Sequence, residues 1–190
     1  PPSIRNRSDE NPIGLWGRLR PVGNEQQATS NRGTTPIDPD WRPLTGSVRG
    51  VLHLRPVGRS DFADVLALHL RAEEFDRVPR VLTLDELEEE LDDEHVSLAT
   101  DTRLAVVDGE PVGYLYTYHL PSDVKNERCY LFGAVSPTHR GQGIGTALME
   151  WGISRATEQL ESSGRSLPRF IRAEAYDHMA AAHNLFARLG

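Results

Sequence analysis

From Leu131 to Gly145 the chain reads LFGAVSPTHRGQGIG and continues into TALMEWGISRATEQLE. An apolar run ends at Val135, Ser136-Pro137 makes a turn, and Gly141, Gly143 and Gly145 open an amphipathic segment. A strand that feeds a glycine-rich helix start offers an anion unpaired N–H groups and the positive end of the helix dipole. Glycine adds room for close approach. The anion this chemistry predicts is a phosphate or pyrophosphate. Spacing narrows the choice of loop. A phosphate loop of the nucleotide triphosphatases needs Lys after its last glycine, and Thr146 stands there instead. A dinucleotide fingerprint counted from Gly141 and Gly143 meets Thr146 where its third glycine belongs.

Other reactive side chains form weaker patterns. Cys129 is the single cysteine, so the chain has no internal disulfide, and no Cys/His cluster spaced for a metal accompanies it. It reads as a small buried apolar residue. His178 and His183 are five apart, one more than the spacing that would put two ligands on one helix face. Asp85–Glu94 holds eight acids in ten positions, which serves either as a solvated helix face or as a lure for a cationic molecule. Tyr114, Tyr116 and Tyr118 alternate, so they share one face of a strand, either lining a pocket or packing under a helix.

The elements that must position these groups follow from periodicity. Val51–Val57 alternates as a first strand, and Ser60 is the expected N-cap of a helix over Asp61–Phe75, with His69 at the border of its apolar face. Thr83-x-x-Glu86 is a capping box that opens a second helix. Arg103–Val107 and Val112–Leu120 flank Asp108-Gly109, a hairpin signal. Arg128–Val135 is the fourth strand, Gly143–Ser162 the third helix, Pro168–Tyr176 a fifth strand and His178–Leu189 a last helix. The order is β-α-α-β-β-β-α-β-α.

Arg140-Gly141-Gln142-Gly143-Ile144-Gly145 resembles the R-x-x-G-x-G signature of the GNAT acetyltransferase superfamily, and Val135-Ser136-Pro137 the V-x-P that precedes it. Leu185–Gly190, LFARLG, is similar to the motif closing the family's fourth helix. The resemblance covers residues 51–190. It implies the GNAT acyl-CoA N-acyltransferase fold, a mixed α/β sheet flanked by helices. It further implies an acetyl-CoA site made by Val135, Arg140, Gly141, Gln142, Gly143, Ile144, Gly145 and Thr146, with no metal. The activity implied is direct acetyl transfer from acetyl-CoA to a primary amine of a small molecule or peptide.

The departures from the family fall on the catalytic groups. Cys129 stands where a glutamate base is common, Phe186 where a tyrosine acid is common, and Met179 where an asparagine touches the coenzyme. Glu127, two residues before Cys129 and on the same face, is the substitute base, and Tyr176 the substitute acid. The alternative is a non-catalytic acyl-CoA-binding module. Cys129–Gly133 ahead of V-S-P is similar to the first module of actinobacterial two-module proteins of the mycothiol-synthase type. That likeness makes a second GNAT module an expected protein partner, with a homodimer as the other expectation. The family resemblance implies two further strands after the last helix, so the chain, which stops at Gly190, reads as a truncated piece.

Composition bounds the rest. The 190 residues, 38% hydrophobic and 26% charged, suit one soluble domain, read as 50–190. Residues 1–49, rich in Pro, Gly, Asn, Arg, Ser and Thr, read as an irregular or disordered segment with Ile13-Gly14-Leu15-Trp16 and Trp41 as its only anchors. No apolar run is long enough to span a membrane, and neither a signal sequence nor paired cysteines is visible, so a reducing cytoplasm is expected. Seven arginines stand against five acids in residues 1–50, whereas residues 51–190 carry 14 basic and 23 acidic side chains. A domain at −9 is a poor binder of nucleic acid.

Overall fold

A computed structural model describes residues 50–189 apart from Arg80 and Asp123, together with the backbone of Gln26 and Gln27. The elements are β1 (Gln26–Gln27), β2 (Leu52–Arg55), α1 (Phe62–Asp76), α2 (Leu84–Leu91), α3 (Leu98–Asp101) and β3 (Thr102–Val107). They continue with β4 (Glu110–Leu120), β5 (Glu127–Val135), α4 (Ile144–Ser162), β6 (Arg169–Ala173) and α5 (Ala180–Leu189). One sheet orders the strands β1-β6-β5-β4-β3-β2. Its pairs are antiparallel except β5–β6, which α4 makes parallel by carrying the chain back to the same end. Most of residues 1–49, with Trp16 and Trp41, lies outside the described residues, but Gln26 and Gln27 pair with Ile171 and Phe170.

Local sequence explains most of these elements. Asp108 and Gly109 take φ of 50° and 87°, the two positive values a two-residue hairpin needs. Thr83 and Glu86 close the expected capping box, with Thr83 N–H donating to Glu86 Oε2 at 2.9 Å and Glu86 N–H to Thr83 Oγ1 at 3.3 Å. The start of α1 differs from expectation. A 3-10 turn at Arg59–Asp61 precedes the helix, so the cap falls to Asp61 and not Ser60. Arg55 draws Asp61 in through two hydrogen bonds of 2.6 and 2.7 Å and holds its carboxyl below the ordinary range. The four-residue α3 is too short to carry a period.

The sheet is covered on both sides. Tyr114, Tyr116, Tyr118 and Leu104 pack under Phe62, Val65 and Leu68 of α1 and Leu87 and Leu91 of α2. Leu115, Cys129 and Leu131 face Ile144, Leu148, Ala156 and Leu160 of α4. The tyrosine stripe is therefore core. His69, expected at a border, is buried. Its Nε2–H donates to Glu73 Oε1 at 2.9 Å, which leaves Nδ1 to accept the Tyr114 hydroxyl. Tyr116 donates to Glu90 Oε2 at 2.9 Å, so one member of the acidic run is buried structure, whereas Asp85, Glu88, Glu89 and Glu94 are exposed.

Glu127 closes one end of the sheet. It is fully buried as the first residue of β5 and accepts the Ser163 hydroxyl at 2.7 Å. His119 Nε2 from β4 lies 3.4 Å away, Arg165 Nη1 from the α4–β6 loop 3.5 Å, and Arg169 Nε from β6 3.9 Å. One carboxylate thus ties β4, β5, β6 and the segment after α4.

Two outcomes follow from this packing. Gly133 on β5 lies so close to β4 that an added Cβ would sit 2.2 Å from Tyr114 O. Gly133→Ala must shift backbone and should cost about 2–3 kcal/mol in urea unfolding; an unchanged midpoint would contradict the tight approach. Burial holds the His119 imidazole below its ordinary 6.5, against the opposing pull of Glu127. The unfolded chain then takes up the proton first, so stability present above 6.5 is lost as pH falls toward the folded value. His119→Gln should flatten the decline in stability measured from about pH 8 to about pH 5, and an undiminished slope would assign it elsewhere.

Candidate functional site

The glycine loop sits where β5 loses a neighbour. β5 and β6 pair from Glu127↔Arg169 to Leu131↔Ala173, and β6 ends there. β5 runs on to Val135 with β4 alone beside it, Val135 opposite Gly113. Among the described residues, the edge of β5 that faces β6 therefore has no strand partner over its last four residues. The chain then turns at Ser136, whose N–H donates to Val112 O at 2.8 Å, and makes a 3-10 turn over Pro137–His139.

Gly141 and Gly143 take φ of 73° and 86°, values that glycine adopts without a Cβ penalty. Both are exposed, and a Cβ on either would meet no atom within 4 Å. Gly143 is the N-cap of α4 and no side chain caps it. Helix geometry leaves the first N–H groups of α4 without intrahelical acceptors, so backbone donors converge on open space at the positive end of a 19-residue helix. Gly145 meets a different constraint, since an added Cβ would lie 3.2 Å from the Leu185 side chain of α5. Ile144 anchors the loop, its side chain buried in the α4 core, so what it can offer an anion is its N–H. Gln142 and Thr146 are half-buried on the loop and first turn. These features fit a pyrophosphate: donors, positive dipole and glycine clearance occupy one place.

Arg140, expected as part of the anion site, spends its side chain otherwise. Its Nε donates to Val135 O at 3.1 Å, and Nη1 and Nη2 grip Asp76 at 2.6 and 2.7 Å. The Phe75 ring lies 5.3 Å from the guanidinium carbon. The guanidinium fastens the loop to the end of α1. No sequence signal pairs Arg140 with Asp76, 64 residues earlier.

Tyr176 is half-buried on the loop that leaves β6, its ring 5.7 Å from that of His178. His178 Nε2 donates to Asp76 O at 2.6 Å and His183 Nε2 to Tyr176 O at 3.0 Å. The two histidines are backbone ties. Glu127 is not brought to this place. It begins the nine-residue strand that Val135 ends, about 25 Å away at the ordinary rise per residue. Cys129 donates to Gln159 Oε1 at 3.3 Å, and burial pushes its thiol up to about 12, far from a nucleophile. Burial, with Glu90 and Glu73 adding to it, pushes the Tyr114 hydroxyl well above its ordinary value, so Tyr114 stays protonated. Among the described residues, no group of three or more His, Cys, Asp or Glu is arranged to hold a metal, and no helix is long and apolar enough to cross a membrane.

Solved structures share this architecture. A GCN5-related N-acetyltransferase from Sphaerobacter thermophilus superposes with a TM-score of 0.59 at 22% identity, over 73% of this chain and 42% of its own. The chain therefore spans less than half of that protein. An aminoglycoside N-acetyltransferase in complex with CoA gives 0.55 at 15% identity over 77% and 91% of the two chains. A ribosomal-protein alanine N-acetyltransferase from Escherichia coli gives 0.53 at 20% identity over 74% and 77%. These likenesses establish the fold, a mixed α/β sheet flanked by helices as in GNAT acyltransferases. No curated protein sequence matches the chain. The model of the acetyltransferase (GNAT) family matches residues 63–190, and with two-thirds of its length inside that match the chain belongs to this family.

Proposed function

We propose that the chain binds acetyl-CoA and transfers its acetyl group to a primary amine of a small molecule or peptide. The observation that carries this reading is the uncapped start of α4, with two exposed positive-φ glycines, beside the unpaired edge of β5. An aminoglycoside appears in the name of one structural neighbour and a ribosomal-protein alanine in that of another, so both kinds of amine suit the fold.

The coenzyme supplies an acyl group activated as a thioester. The chain's own groups hold and orient it. N–H groups from Gly141 to Thr146 take the pyrophosphate, and the open edge of β5 near Val135 takes the arm that follows. A β5 backbone N–H is the donor for the tetrahedral oxyanion. Tyr176 is the proposed acid toward the leaving thiol, a role its half-exposed position on the loop beyond β6 supports. An amine with a pKa near 10.4 must lose a proton before it attacks. Burial of Glu127 among Ser163, His119, Arg165 and Arg169 supports a structural part for that residue, with the amine's proton passing to water.

The second reading, acyl-CoA binding without turnover, draws on Cys129, a buried thiol held near 12 where the family's base is common. It also draws on Phe186, which has no proton to give. Thiol release measured with a panel of amines separates the two: release establishes transfer, whereas binding with no release on any amine establishes the module. Given transfer, Tyr176→Phe should lower kcat about tenfold or more, while Glu127→Gln should lose about 2–4 kcal/mol of stability yet keep its turnover per folded molecule. Gly143→Phe should strain the loop by about 1–2 kcal/mol and abolish acetyl-CoA binding in calorimetry. Unchanged affinity in that variant would remove the anion site from this loop.

A further inference from the structure

Resting on the acetyl-CoA reading above, we propose that Asp76 is a positioning residue that sets the opening between β5 and β6. The strands part after Leu131↔Ala173, and each continues into a loop: residues 136–143 from β5, residues 174–179 from β6. Both loops are fastened to Asp76, the last residue of α1. Its carboxylate grips Arg140 at 2.6 and 2.7 Å, and its carbonyl accepts His178 Nε2 at 2.6 Å. The Arg140 contact is a paired fork, the geometry that fixes direction as well as distance. Arg140 also reaches back to Val135 O at 3.1 Å, so the tie extends to the last residue of β5.

The position of Asp76 is itself well determined. The chain leaves α1 through Arg77 in the left-handed region, φ 54° and ψ 42°, whose N–H donates to the carbonyls of Glu73 and Glu74. Val78 N–H returns to Glu73 O at 2.9 Å. This double closure ends the helix at a defined residue. The Asp76 side chain is 11% exposed and that of Arg140 25%, so the fork is largely shielded from solvent. With its charge matched by Asp76, the guanidinium aligns the loop and leaves phosphate contact to the backbone N–H groups.

The test is calorimetric titration of acetyl-CoA into the intact chain and into Asp76→Asn, Arg140→Met, their double variant and His178→Ala. Asp76→Asn and Arg140→Met should each weaken affinity about tenfold, as loss of alignment does, and the double variant should be no weaker than either. His178→Ala should weaken binding separately and multiply with Asp76→Asn, because it frees the other loop. Arg140→Lys, which keeps charge without the fork, should behave as Arg140→Met does. Equal or tighter binding by Asp76→Asn would overturn the proposal, since it would mean that Asp76 only withholds Arg140 from the phosphate. Multiplying losses in the double variant would overturn it as well. If the unaltered chain binds no acetyl-CoA, the coenzyme reading fails. Hydrogen exchange then decides the positioning role alone: faster exchange of 136–143 in Asp76→Asn and of 174–179 in His178→Ala upholds it, and unchanged exchange overturns it. Should Asp76→Asn not fold, Arg140→Met carries the same comparison.

Discussion

The parallel pairing of β5 and β6, closed at one end and open at the other, is the constraint on which the rest of the molecule depends. Parallel neighbours need a crossover, and α4 supplies it while burying Ile144, Leu148, Ala156 and Leu160 on the sheet. At the closed end a buried carboxylate, Glu127, meets groups from β4, β6 and the segment after α4. At the open end the ladder stops at Leu131↔Ala173, and among the described residues the backbone groups of β5 beyond it face no strand on that side.

Charge is used differently at the two ends. Around Glu127 the carboxylate is fully buried and the half-buried Arg165 and Arg169 reach in to it, so their compensation of its charge holds strands together. Around the glycine loop the side-chain cation is compensated by Asp76, and the donors left facing outward are backbone N–H groups and the helix dipole. Fixed backbone donors need no reorganisation when an anion arrives, whereas a free arginine would first have to be ordered.

Much of this was legible in the chain. The glycine spacing from Arg140 to Gly145, the Asp108-Gly109 hairpin and the Thr83–Glu86 capping box are local signals, and each forms as its residues dictate. The shared face of the three tyrosines followed from alternation, but its covering by α1 and α2 did not. His69 read as a border residue and Glu90 as part of an acidic run because their partners, Tyr114 and Tyr116, lie 45 and 26 positions away. Ser60 lost the cap because Arg55 pulls Asp61 into a preceding turn.

The roles of Arg140 and Glu127 mark the boundary most sharply. By itself the sequence determined that a strand ends at Val135, that a glycine loop follows and that a helix begins with its N–H groups uncapped, since short-range sterics and hydrogen bonding decide all three. Only the tertiary structure decided that the loop's arginine faces Asp76, that Glu127 is walled in at the far end of its strand, and that β6 stops four residues short of Val135. Those facts depend on which distant segments the shared core brings together, and burial and ion pairing act on that proximity, to which the spacing of residues along the chain is blind.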